Sequence, residues 1–158
     1  EVELGEGRLS DQVNELEVVT FFGATLAALD DGREVTVDEL EVERRELHVI
    51  EVAGRQGDPA RRQRTLKDPV LLQVGPYTLR GSLHRSPAAQ PLAALAGWTR
   101  FVPLTEATLD TGGGEEPIRR DVVLVNRDRI TRHEALEGIG MMSTGPWPPL
   151  PTADPEAG

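Results

Sequence analysis

The sequence repeats one pattern at a single offset of 83 residues, and this repeat constrains the fold more than any other feature of the chain. The offset needs no gap and superposes identical residues: Ala24-Thr25-Leu26 on Ala107-Thr108-Leu109, Asp38 on Asp121, Val42 on Val125, Arg44 on Arg127 and Glu51 on Glu134. Apolar residues also coincide, namely Phe21 with Leu104, Leu40 with Val123 and Leu47 with Ile130. A fixed period of this kind indicates the duplication of one small structural unit.

The second copy has the pattern of a series of short strands. Val70–Val74 and Tyr77–Leu83 are apolar or alternating runs on either side of Gly75-Pro76, which predicts a β-hairpin. Proline near the start and glycine at the end predict a short helix over Ser86–Gly97. Three segments then follow: a strand over Phe101–Leu109, a strand over Asp121–Val125, and a turn over Asn126–Arg129 that leads to a last short strand.

The first copy repeats this order only from its helix onward. Its segments are a helix over Gly7–Asn14, a strand over residues 17–29, a turn at Asp30-Asp31-Gly32 and two strands within Val35–Val52. Its opening hairpin is almost wholly missing, because only Glu1–Leu4 corresponds to part of it. We expect the exposed sheet edge to be covered by an upstream segment or by another chain, since unpaired edges promote aggregation.

Composition divides the chain into four segments. Residues 1–53 form the first copy and residues 69–137 form the second copy. Residues 54–68 form a basic linker that contains Arg61, Arg62 and Arg64. Residues 138–158 form a flexible tail rich in Pro and Gly, which includes Trp147 and is too poor in apolar residues to build a core.

Charge and cysteine content exclude several classes of function. The formal net charge is −10, and residues 1–57 alone hold 15 acidic and 5 basic side chains. Such a surface repels phosphates and disfavours nucleic acid as a partner. The chain has no Cys, which excludes disulfides, thiol catalysis and thiolate zinc sites. No apolar stretch approaches the ~18 residues of a membrane span, so we predict a soluble, cytoplasmic protein.

The polar residues form no recognisable catalytic or metal-binding motif. His48, His84 and His133 lack the spacing of metal ligands, and no pair of carboxylates is singled out. Gly112-Gly113-Gly114 is followed by two glutamates rather than by the lysine of a phosphate-binding loop. We therefore predict no catalytic residue, no metal and no cofactor.

Short motifs in both copies resemble known small β-barrels. The Arg80-Gly81 step within Val70–Leu83 and the segment Leu124–Ile130 resemble the first hairpin and the closing strands of Sm-like proteins. The motifs at Gly7–Asn14, Phe101–Ala107 and Val125–Ile130 resemble an uncharacterised bacterial domain family. The resemblance implies a mainly β fold with two small Sm-like antiparallel β-barrel domains, each with one short helix.

The expected function is that of a non-catalytic protein-binding, assembly or scaffold module. Its partner is expected to be another protein or a second copy of the chain, because strand edges and turn loops are the only obvious recognition surfaces. The alternatives are an Sm-like RNA-binding protein, by fold analogy, and a hydrolase that works through carboxylates. The residues predicted to contact the partner are Arg61, Arg62, Arg64, Asn126, Arg127, Asp128 and Trp147.

Overall fold

The computed structural model describes residues 9–27, 33–51, 65–97, 99–112 and 116–136. The elements of the first half are α1 (Leu9–Glu15), β1 (Val18–Ala27), β2 (Glu34–Glu43), a first 3₁₀ turn (Arg44–Glu46) and β3 (Val49–Glu51). Those of the second half are β4 (Leu66–Val74), β5 (Tyr77–Arg85), α2 (Ala93–Ala96), β6 (Phe101–Asp110), β7 (Ile118–Asn126), a second 3₁₀ turn (Arg127–Arg129) and β8 (Ile130–Ala135).

The strands form two antiparallel sheets, which confirms the prediction of a mainly β chain. A six-stranded sheet has the order β3-β7-β6-β5-β4-β8, and β1 pairs with β2 in a separate two-stranded ribbon. Neither sheet closes into a barrel within the described residues. The predicted division into two barrels is therefore not seen, because β3 of the first half pairs with β7 of the second half.

Element boundaries follow the 83-residue offset of the sequence. β1 and β6 begin and end at residues related by this offset, and so do the two 3₁₀ turns. β2 and β7 both end at such a pair, Glu43 and Asn126. The two halves thus contain the same strand, strand and turn in the same positions.

The main core lies on one face of the six-stranded sheet. Because side chains alternate across a strand, core residues recur at every second position, except in β6, where the pattern shifts by one residue at Glu106, whose φ is 52°. The buried residues of the core are Val70, Leu72, Val74, Leu79, Leu83, Val102, Leu104, Ala107, Leu109, Val123 and Val125. Gly81 allows β5 and β6 to approach closely, since a Cβ at this position would lie 2.7 Å from Leu104 Cγ.

A second, smaller core joins the two halves. Val13 of α1 packs with Phe101 and Leu124, and Leu47 and Ile50 lie against them. Leu124 alternates with the main-core residues before and after it, so this cluster lies on the opposite face of the sheet. The first half therefore stacks α1, the first 3₁₀ turn and β3 against β6 and β7.

Two segments differ from the sequence-based expectation. β4 begins at Leu66, inside the segment 54–68 that was predicted to be a linker. The helix predicted over Ser86–Gly97 is reduced to the four residues of α2, and Leu92 before it has a left-handed φ of 59°. Asp68 connects the two segments, because it accepts hydrogen bonds from the Arg85 side chain and from the Leu92 amide, each at 2.9 Å.

Neither α1 nor α2, the two helices of the described ranges, is long and apolar enough to cross a membrane.

Candidate functional site

Asn126, one of the predicted contact residues, lies at the end of β7 and is completely buried. Its side-chain Nδ2 donates to the Leu47 carbonyl at 2.7 Å, and its Oδ1 accepts from the Asp128 amide at 3.1 Å. Its backbone amide donates to the His48 carbonyl at 2.9 Å. Asn126 therefore binds the first half of its own chain, and its side chain is not part of the solvent-exposed surface.

Asn14 makes the corresponding contact from α1. Its Oδ1 accepts from the Phe101 amide at 2.8 Å, and its Nδ2 donates to the Phe101 carbonyl at 3.0 Å and to the Ser10 carbonyl at 2.7 Å. This amide satisfies both backbone groups of Phe101 at the start of β6. Asn14 and Asn126 together connect the first half to neighbouring strand ends of the second half, since Phe101 pairs with Asn126 in the sheet.

The other two predicted contact residues of the second 3₁₀ turn, Arg127 and Asp128, form an ion pair with each other, and Arg129 of the same turn forms a separate one. Arg127 and Arg100 both contact the Asp128 carboxylate, at 3.2 Å and 2.8 Å. Arg129 donates to the Arg45 carbonyl at 2.7 Å and lies 3.3 Å from the Glu46 carboxylate. These side chains are partly exposed, so each pair contributes little to folding stability. Their arrangement does place the two 3₁₀ turns side by side.

The pairing of β3 with β7 is strand addition within one chain. Val49, Ile50 and Glu51 lie opposite Val125, Leu124 and Val123 in an antiparallel register. A 2.6 Å ion pair between Glu51 and Arg120 extends this contact. The outer edge of β7 is thus occupied by a strand of the first half.

The ribbon of β1 and β2 contains the equivalents of β6 and β7, but its edges differ. In the second half β6 pairs with both β5 and β7, and β7 pairs with both β6 and β3. Within the described residues β1 and β2 pair only with each other. Large apolar side chains also remain exposed on the ribbon, with relative exposures of 42% for Val18, 45% for Phe22, 43% for Leu26 and 51% for Val35.

The outer edge of β2 is acidic, and its backbone donors have no partner strand among the described residues. The Arg44 amide donates to the Glu17 carbonyl on the β1 side at 2.8 Å. Because amides alternate along an antiparallel strand, those of Glu43, Glu41 and Glu39 point to the outer edge. The acidic residues of β2 are Glu34, Asp38, Glu39, Glu41 and Glu43, and the strand contains no basic residue. This edge offers main-chain donors surrounded by negative charge.

A polar cluster around His84 is the other candidate site in the described residues. One ring nitrogen of His84 lies 2.9 Å from Thr65 Oγ1 and the other lies 2.8 Å from Thr105 Oγ1. Lys67 and Glu106 form a 2.7 Å ion pair beside them. Burial lowers the pKa of His84, the Lys67 charge lowers it further, and Glu106 opposes both effects. Both ring nitrogens are already bonded, so this ring links β5 to its neighbours and is not placed to accept a proton from a substrate.

The predicted contact residues thus fall into two groups. Asn126, Arg127 and Asp128 lie together where the two halves meet, whereas Arg61, Arg62, Arg64 and Trp147 lie outside the described residues. Sequence reasoning noted Asn14 only as part of a motif, and it did not identify the β2 edge. The missing opening hairpin of the first copy pointed instead to the edge of β1, because the equivalent hairpin strand β5 pairs with β6.

No group of three or more His, Asp or Glu side chains in the described ranges could hold a metal ion. Comparison of the chain with protein-family models, with curated proteins and with solved structures gives no significant match.

Proposed function

We propose that this protein is a non-catalytic protein-binding and assembly module that receives a strand at the outer edge of β2. One observation carries the proposal: β7 is paired on both edges, whereas its equivalent β2 is paired only with β1 among the described residues. Equivalent strands therefore have an outer edge that is filled in the second half and has no partner among the described residues in the first half.

Strand addition fits the physical character of this edge. Unpaired amides and carbonyls along a strand are a template for another strand, and main-chain hydrogen bonds supply affinity without catalytic residues. The exposed apolar residues Val18, Phe22, Leu26 and Val35 give a bound strand a surface to cover. An isolated two-stranded ribbon is only marginally stable in water, so an added strand would also stabilise it.

We further propose that each half is a diverged Sm-like barrel. Support comes from the equivalence of β1 with β6, of β2 with β7, and of the two 3₁₀ turns at one offset. In this interpretation the first barrel is completed by strands from outside the described residues. RNA binding remains the alternative, and the acidic side chains of β2 oppose it because a phosphate backbone requires positive charge.

The proposal is tested by photo-crosslinking from the edge of β2. A photoreactive amino acid is placed at Asp38, and the full chain is irradiated in its host cell. Thr108 is the control position, because it pairs with Arg80 on one side and with Arg119 on the other. We expect a discrete protein adduct from Asp38 and none from Thr108.

A proline in β2 tests whether the photo-adduct depends on backbone hydrogen bonds at the outer edge of this strand. Glu41→Pro removes an amide that points to the outer edge and leaves the hydrogen bonds to β1 in place, as edge strands allow. This substitution should abolish the adduct while circular dichroism stays unchanged, whereas Glu41→Ala, which keeps the amide, should not disrupt the backbone contact. No adduct from Asp38, or an adduct that ribonuclease removes, would overturn the proposal.

A further inference from the structure

We propose that the strand received by β2 is β8 of a second copy of this chain, so that copies associate head to tail. This inference rests on the proposed function, and it names the partner. The protein contains its own template for the contact, because β3 of the first half is already added to β7 of the second half.

The offset of 83 residues gives the register of the proposed intermolecular contact, because each residue of the internal contact has an equivalent in the other half. The three residues of β3 correspond to residues 132–134 of β8, and the part of β7 that they cover corresponds to residues 40–42 of β2. β8 pairs with β4 along one edge, and its other edge has no partner within the described residues. The transferred register places three pairs opposite each other, with the β8 residues belonging to the second copy: Arg132 with Val42, His133 with Glu41, and Glu134 with Leu40.

One of the three transferred pairs joins a basic and an acidic residue, and the charges around the two strands are of opposite sign. Ile50 faces Leu124 inside the chain, and the equivalent intermolecular pair is His133 with Glu41, so an apolar pair is replaced by a basic and an acidic residue. β2 carries only acidic charge, whereas the second 3₁₀ turn and β8 carry Arg127, Arg129, Arg132 and His133 against Asp128 and Glu134. Opposite charges placed directly across a pair of strands are favourable.

One ion pair of the template is reproduced with the same residue types. Arg129 and Glu46 lie at equivalent positions of the two halves and are 3.3 Å apart across the internal contact. In the intermolecular contact Glu46 of the receiving copy faces Arg129 of the second copy, and each of these side chains is shared with its internal partner. The chain thus has matching charges on the surface that gives a strand and on the surface that receives one.

A residue difference at one position predicts that the intermolecular contact is weaker than the internal contact between β3 and β7. The residue equivalent to Asn126 is Glu43, whose carboxylate cannot donate to a carbonyl as Asn126 donates to Leu47 at 2.7 Å. Glu43→Asn should restore this donor and tighten self-association by about tenfold, the effect of one well-placed hydrogen bond. Because the giving and receiving surfaces differ, the assembly is a ring or an open chain of copies.

Engineered disulfides test the register directly, since the natural chain has no Cys. Val42→Cys and Arg132→Cys are prepared as separate full-length proteins, mixed and oxidised. The positive control is one chain with Val49→Cys and Val125→Cys, the same strand positions in the internal contact. Glu41→Cys mixed with Arg132→Cys is the out-of-register control. We expect the Val42–Arg132 mixture to form a disulfide-linked dimer faster than either protein alone and faster than this control.

Solution mass gives an independent measurement. Light scattering across a concentration series should show association of the natural chain, loss of association for Glu41→Pro, and stronger association for Glu43→Asn. Charge reversal at one side, by Glu41→Lys or His133→Glu, should weaken association, and a mixture carrying both changes should recover it.

A Val42–Arg132 mixture that fails to crosslink while the internal control does would overturn the inference. A monomer at all concentrations would do the same. A photo-adduct from Asp38 that contains a different protein would leave the proposed function standing and refute only the choice of partner.

Discussion

Replacing Asn126 by Ala should weaken the contact between the two halves of the molecule at the end of β7. Asn126 is completely buried, and its side chain makes three hydrogen bonds: to the Leu47 carbonyl at 2.7 Å, from the Asp128 amide at 3.1 Å, and a long one to the Arg44 carbonyl at 3.5 Å. The Ala variant removes all three bonds and supplies no replacement. Because Asn126 is completely buried, the Leu47 carbonyl then loses its side-chain donor at the junction with β7.

The expected loss in the free energy of unfolding is about 3 kcal/mol. Each of the two shorter hydrogen bonds contributes about 1 kcal/mol net, and the Leu47 carbonyl left without its side-chain donor costs about 1 kcal/mol more. Gln73 is the matched control, because its amide also makes two bonds, to the Gly75 carbonyl and from Thr78, both at 2.9 Å. Gln73 is only partly buried, so water replaces its partners and Gln73→Ala should cost less than about 1 kcal/mol.

Urea unfolding followed by circular dichroism measures the loss, and amide hydrogen exchange locates it. Exchange should accelerate at Val49–Glu51 and at the Asn126 amide, which donates to His48 at 2.9 Å, before it accelerates in β4 and β5. A loss below about 1 kcal/mol, or unchanged protection of β3, would refute the assignment of Asn126 as the residue that connects the halves.

Three further substitutions test other contacts. Asp68→Ala should lower the free energy of unfolding by about 3 kcal/mol in urea, because Arg85, whose side chain is 17% exposed, would keep its charge without its partner. Gly75→Ala should cost about 2 kcal/mol, because Gly75 has a φ of +56° and an added Cβ would lie 2.6 Å from His48 Nε2; a double-mutant cycle with His48→Ala should recover part of this loss. The folded-state pKa of His84 is lowered, so its contribution to stability is complete above about pH 6.5 and is lost as the pH falls from there towards the folded-state pKa. Urea unfolding at a series of pH values should therefore show a shallower acid loss for His84→Gln than for the natural chain.

Local pattern was sufficient to predict much of the secondary structure. The turn at Gly75-Pro76 and the apolar runs around it correspond to β4 and β5, and the repeated pattern at the 83-residue offset corresponds to β1, β2, β6 and β7. These features depend on the alternation of side chains and on turn residues, both of which are visible within about ten residues of sequence. The short motifs that contain Asn14 and Asn126 were also visible, although their role was not.

Tertiary structure alone decided which strand pairs with which, and what the two asparagines bind. A three-residue strand such as Val49–Glu51 has the same apolar character whether it closes its own half or joins β7, because hydrogen bonding between strands depends on backbone groups that every sequence shares. The contact from Asn126 to the Leu47 carbonyl likewise joins a side chain to a main-chain atom far away in sequence. The sequence by itself therefore determined the repeated strands and turns, and the three-dimensional arrangement determined that one β7 edge is filled while the equivalent β2 edge is open within the described residues.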